Sequence, residues 1–170
     1  IEDEFGDVLT HAFSGGAFML QVMHPTIARV VDMHSDVFED PIGRALRNTD
    51  SIVKWIYGGE AALAEGRRLV RLHAAMKGVA DDGTPYSALE AEAYGWVHAT
   101  AFVTATTIYP YIHGRPLSAR EQAAYYDEML QLGAILRIQP SQLPATVEDY
   151  WEYYDTMVAE RLARFTAPEK

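Results

Sequence analysis

Between Ala93 and Ile112 the chain carries no formal charge over the length of a membrane span. Such a stretch must be enclosed, either by lipid or by the rest of the protein. His98, a series of Thr and Tyr hydroxyls and Pro110 all fall within it. That polar content favours a helix buried on all sides in a globular core over a membrane span. The chain has 170 residues, enough for other helices to surround that one.

Punctuation along the sequence marks those other helices. Asp40-Pro41 is an N-cap followed by Pro at the first helical position. Ile42, Leu46, Thr49, Val53 and Ile56 then recur at spacings of four and three, one face of a helix that Gly58-Gly59 ends. The next helix runs from about Glu60 to Lys77 and stops at Gly78, with an inward stripe of Ala62, Gly66, Leu69, His73 and Met76. Ser87-Ala-Leu-Glu90 reads as a capping box that opens the long apolar helix. Ser118-Ala-Arg-Glu121 is a second box, opening a helix to about Leu136. Pro140 and Pro144 bound a connector, and Thr146 to Asp149 cap a last helix with an aromatic run at Tyr150–Tyr154. Upstream, Gly15–Met23 and Ile27–Met33 read as two shorter helices separated by His24-Pro25. Sustained period-two alternation is absent, so a sheet is not indicated. The expectation is an all-α, single multi-helix globular domain around a buried apolar helix.

A formal net charge of −10 argues against nucleic-acid binding and against docking on anionic lipid. The absence of Cys excludes disulfides, iron–sulfur clusters and thiolate-ligated haem. The acidic N-terminus, Ile1 to Phe5, does not resemble a basic signal-peptide start, so a cytoplasmic chain is expected.

Among residues that can carry chemistry, His73 stands out. It lies on an apolar helical stripe beside Arg67, Arg68, Arg71 and Lys77, with Lys77 one turn on and on the same face. An imidazole on an apolar wall rimmed by cations suits a haem, whose iron takes a neutral ring nitrogen and whose propionates take cations. The same pattern also fits a core histidine bonded to a carbonyl. His98, midway along the uncharged helix, is a pocket residue, a ligand or a satisfied core histidine. Thr104, Thr106 and Thr107 either offer hydroxyls to a pocket or bond back to the helix. Thr49 is the one polar residue on the apolar face of its helix, with Arg44 and Arg47 on the other side. His34, Asp36 and Glu39 form a weaker metal-binding candidate, since Asp40 beside them already has a capping role. A Glu-x-x-His pair, a Gly-rich phosphate loop and a nucleophile elbow are all missing.

An ordered series of short motifs adds a family likeness. It runs from Gly16-Ala-Phe-Met-Leu-Gln-Val-Met-His24-Pro25 through His34-Ser-Asp-Val-Phe-Glu-Asp40-Pro41 to Gly43-Arg44 and Thr49. It continues with Tyr57-Gly58, Arg71-Leu-His73 to Gly78, Gly83-Thr-Pro-Tyr86-Ser87 and Trp96-Val-His98-Ala-Thr100. This series resembles the DUF2236 family, which includes the MpaB-type oxygenases and the catalytic domain of latex-clearing rubber oxygenase. The resemblance implies one helical domain over residues 1–170, continuing beyond the C-terminal end of this chain. It implies haem b held by a histidine, here His73, which would be the iron ligand. Lys77 resembles a basic position near the haem, and Arg44 or Arg47 with Thr49 resembles an Arg/Thr motif that approaches it. Arg71 joins Arg44, Arg47 and Lys77 as a cofactor-binding candidate, while Thr49 and His98 are the catalytic candidates. The function implied is a haem-dependent oxygenase or related oxidoreductase that brings together an apolar small-molecule substrate and dioxygen. A non-catalytic helical protein binding a hydrophobic small molecule is the alternative.

Overall fold

The computed structural model describes residues 8–163, with side chains from residue 15; the acidic start at Ile1–Phe5 lies outside the described residues. The elements in order are α1 (Val8–Val22), α2 (Pro25–His34), α3 (Pro41–Tyr57), α4 (Glu60–Ala75), β1 (Lys77–Val79), β2 (Pro85–Ser87), α5 (Ala91–His113), α6 (Ala119–Ile135) and α7 (Val147–Thr156). A 3₁₀ turn, Pro140–Gln142, precedes α7, and a π-helical turn, Met157–Arg161, follows it. The domain is all-α apart from the two short strands. Among the described residues, no helix is long and apolar enough to cross a membrane.

The uncharged segment forms α5, and the other elements pack around it. Its residues from Ala93 to Tyr109 are mostly buried, and its last turn opens to solvent at Tyr111. One side of α5 meets an aromatic core. Phe102 sits edge-on to Tyr150 at 4.7 Å and to Tyr126 at 5.0 Å between ring centroids. Buried phenols and indoles need partners for their polar ends. Tyr150 donates to the Ala99 carbonyl at 2.8 Å, Tyr126 to the Pro144 carbonyl at 2.8 Å and Trp96 to the Leu20 carbonyl at 3.2 Å. The aromatic run of α7 thus closes the core. On another side, α1 lies along α5, and the Gln21 amide donates to the Thr100 hydroxyl at 2.8 Å. Gly66 lets α4 approach α6 closely, since a Cβ there would stand 2.6 Å from Ile135.

Most expected helix ends are built as read. The Asp40 side chain accepts from the Gly43 amide, Ser118 and Glu121 form a reciprocal capping box, and Thr146 accepts from Asp149. The first helix begins at Val8 rather than Gly15, and four later expectations also differ. The box at Ser87–Glu90 is not built; Ser87 belongs to β2, and Glu90 itself caps α5 by accepting from the Glu92 and Ala93 amides. The helix after Glu60 ends at Ala75 rather than Lys77, because Met76 leaves helical geometry and the chain pairs with β2. The two strands then pair Lys77 with Ser87, Gly78 with Tyr86 and Val79 with Pro85. Each spans three residues, too few to display an alternation.

The fourth difference concerns the apolar stripe of α3, which faces outward. Ile42 is 74% exposed and Leu46 66%, while Ser51, two residues from the stripe's central Thr49, is buried. The inward side of α3 is the mixed row Arg44, Asn48, Ser51, Ile52 and Trp55. It is attached by polar contacts: Trp55 donates to the Leu132 carbonyl at 3.1 Å, and Arg68 donates to Ser51 at 2.7 Å.

These placements predict opposite costs for two apolar truncations. Phe102→Ala should cost about 3–5 kcal/mol of unfolding free energy, as for other large-to-small core changes. Ile42→Ala should change it by no more than about 0.5 kcal/mol, as for surface positions. Urea unfolding of the two variants checks both.

Candidate functional site

On the side of α5 away from the aromatic core lies a cavity of about 710 Å³, bounded by α1 to α5 and by Leu136–Ile138. That volume lies within the range of small-molecule and cofactor sites. Its apolar walls include Ile27, Val31, Leu69, Leu72 and Met76. Set into those walls are three imidazoles, His34 from α2, His73 from α4 and His98 from α5, and the cations Arg44, Arg47, Lys54 and Arg68.

His73 has a buried Nδ1 with no hydrogen-bond partner. Its ring lies edge-on to Tyr94 at 5.7 Å, and Tyr94 is anchored through its hydroxyl to the Leu136 carbonyl at 3.2 Å. Burial, and then the charge of Arg68, hold its pKa below the ordinary value of 6.5. Desolvation disfavours the imidazolium, so the ring is neutral at pH 7. The carbonyl bond of a plain core histidine is not made by His73. It is made instead by His98, whose Nε2 donates to the Met129 carbonyl at 2.6 Å. His98 is 4% exposed, and burial lowers its pKa in turn. Its ring meets Trp55 edge-on at 5.5 Å. A side chain at Gly133 would place Cβ 2.9 Å from His98 Nε2, so the absence of one there makes room for the ring.

The cations differ in how they are held. Arg68 grips Glu65 with two nitrogens, at 2.9 and 2.6 Å, and reaches Ser51 with one of them. That pairing pulls the Glu65 carboxyl down to about 2. Arg47 is exposed and paired with Asp36 and Asp40. Arg44 is half-buried, donates through Nε to Ser35 Oγ at 2.7 Å and lies over the Phe18 ring at 4.7 Å. Burial lowers its pKa, with Asp36 opposing that effect. No carboxylate within ion-pair distance holds it among the described residues.

The sequence candidates therefore divide. His73, His98, Arg44 and Arg47 line one cavity. Thr49 does not, because its helix turns that face outward. Arg71 is exposed on α4, and Lys77 is exposed on β1 rather than one turn beyond His73 on the same helix. The hydroxyls of Thr104 and Thr106 bond back to carbonyls of α5, at 2.7 Å to Thr100 and 2.9 Å to Phe102. His34 and Asp36 reach the cavity without Glu39, and no group of three metal-donor side chains exists among the described residues. Sequence reading passed over Trp55, Ser51, Glu65 and Gly133. Trp55 had a signal, since Arg44, Asn48, Ser51 and Trp55 recur at helical spacing, but polar residues hide that row. Gly133 had none.

The profile of one protein family, "ER-bound oxygenase mpaB/B'/Rubber oxygenase, catalytic domain", matches residues 4–169. The chain belongs to this mpaB/rubber-oxygenase family. Its fold is accordingly that of an oxygenase catalytic domain. No curated protein and no solved structure matches the chain. In this mpaB-family domain the family motifs around His73 and Trp96–His98 converge on the cavity, whereas those at Thr49 and Lys77 lie outside its lining.

The two buried imidazoles set a pH dependence. Each binds a proton less readily folded than unfolded, so the stability tied to the neutral rings is complete above about pH 6.5. It is lost as pH falls from there toward the lowered folded values. The melting temperature should fall between about pH 7 and pH 5. The slope should be shallower in His98→Leu, read by circular dichroism; an unchanged slope would count against this assignment.

Proposed function

We propose that this mpaB-family domain is a haem-b-dependent oxygenase acting on an apolar substrate, with His73 as the protein ligand of the iron. The observation behind this reading is the buried, unpartnered Nδ1 of His73 beside an apolar cavity. Nδ1 itself is closed off, so the nitrogen that would take iron is Nε2, and the unpartnered Nδ1 leaves the ring unclaimed by the rest of the protein. Neutrality matters equally, since a metal takes the lone pair of an uncharged imidazole. Arg44 and Arg47 line the same cavity and would meet the carboxylates of the cofactor. Arg71, Lys77 and Thr49 do not line that cavity.

When bound, haem would supply the activation of dioxygen. The chain's own residues would do the rest. Leu69, Leu72 and Met76 hold apolar surface and exclude water. Tyr94 limits rotation of the His73 ring by edge contact. Arg68, fixed by Glu65, keeps a positive charge near His73 and so favours its neutral form.

Optical titration of the full chain with hemin tests the reading. A Soret band should saturate at about one haem per chain and shift on reduction. At a hemin concentration of 100 times Kd, the folded state should gain about 2.7 kcal/mol, seen as a higher melting temperature. His73→Ala should lose both effects. Full haem occupancy in that variant would remove His73 as the ligand. A chain that takes up no hemin would leave the cavity as a binding site for a hydrophobic small molecule.

A further inference from the structure

His98 presents a chemistry that iron ligation by His73 does not use. Its ring is almost wholly buried, lines the cavity, and is fixed on three sides by Met129, Trp55 and Gly133. Trp55 is itself pinned, through its indole nitrogen, to the Leu132 carbonyl. Donation from Nε2 to the Met129 carbonyl fixes the tautomer: the single proton of the neutral ring sits on Nε2, and Nδ1 carries a lone pair. Nδ1 has no hydrogen-bond partner among the described residues. The two ring nitrogens point in divergent directions, so an Nε2 aimed at α6 leaves Nδ1 aimed away from it. The wall around it supplies little competition: Val97 and Ala101, its neighbours in the cavity lining on α5, carry no polar side-chain group. The hydroxyl of Thr100, two residues on from His98, is spent on the Val97 carbonyl.

We infer that the substrate is an apolar molecule bearing one hydrogen-bond donor, a hydroxyl, which donates to Nδ1 of His98. This rests on the proposed use of the cavity for an apolar substrate and adds the polar group that orients it. In an apolar pocket a single directed acceptor gives strong selectivity, because a ligand without the donor leaves the acceptor unpaired. His98 is then a substrate-orienting residue, and its proton stays on Nε2 throughout.

The probes are 1-decanol and decyl methyl ether, which share an apolar chain and differ in the donor. Binding to the full chain is followed by tryptophan fluorescence, as Trp55 touches the His98 ring, and checked by calorimetry. The wild-type chain should bind the alcohol about five- to tenfold more tightly than the ether, the range of one neutral hydrogen bond. His98→Leu should bind both with the affinity of the ether. Equal affinities in the wild-type chain overturn the inference without recourse to any variant, as does binding of neither probe. Selectivity that survives in His98→Leu overturns it too. The titration is repeated after hemin loading. Selectivity present in the chain as purified and abolished by hemin would give His98 to the cofactor and end the inference. Haem binding is scored separately by the Soret band, so a chain with alcohol selectivity and no Soret band sinks the cofactor reading alone.

Discussion

Enclosing an uncharged helix on nearly every side is the constraint from which this structure follows. A helix such as α5 has no polar face to give to water, so neighbours must be recruited all around it. α1, α6, α7 and the 3₁₀ turn supply them. Close approach is bought at specific points by missing side chains; Gly95 sits against the Gln142 carbonyl, where a Cβ would stand 2.7 Å away. Most polar atoms that α5 carries inward are satisfied by threonine back-bonding and by aromatic donors that find carbonyls, while Nδ1 of His98 is left open. The same helix divides the molecule, with an aromatic core around Phe102 on one side and the cavity on the other. His98 and Phe102 are one helical turn apart and so share a face, at the seam where the packed side gives way to the cavity.

Electrostatics inside the cavity run against the chain as a whole. The protein carries a net charge of −10, yet Arg44, Arg47 and Arg68 face the cavity. Two of the three are matched by carboxylates, and Arg44 is matched only by a hydroxyl, an aromatic face and a more distant Asp36. A half-buried guanidinium in that state favours an anionic occupant. The imidazoles of His73 and His98 are kept uncharged by burial, so the cavity combines apolar surface, neutral nitrogen lone pairs and a positive edge. Those are the properties that a haem carboxylate edge and an apolar substrate require together.

The helices and their caps were legible because capping is local chemistry. Asp40, Ser118 with Glu121, and Thr146 each act on an amide within three residues. The likeness to the oxygenase family was legible too, since its motifs run along nearly the whole chain. The orientation of α3 was not. Ile42, Leu46 and Val53 make the more hydrophobic stripe, but the helix is held by Trp55, Ser51 and Arg44, whose partners lie as far away as Leu132. Nothing local reveals a carbonyl 77 residues distant. Thr49 was misplaced with that stripe. Lys77 was misplaced because its helix ends one residue before Met76 and gives way to a strand too short to leave a pattern. Gly133 as the seat of His98 is a tertiary fact with no sequence signature.

The central claim is that His73 and His98 belong to one cofactor and substrate cavity, from whose lining His24 and His113 are absent. Nitrogen NMR of chain labelled at histidine, with and without the diamagnetic zinc protoporphyrin, reads this directly. The account predicts that the ring resonances of His73 and His98 move on loading while those of His24 and His113 stay in place. Unmoved His73 and His98 resonances, or shifts centred on His24 or His113, would contradict it.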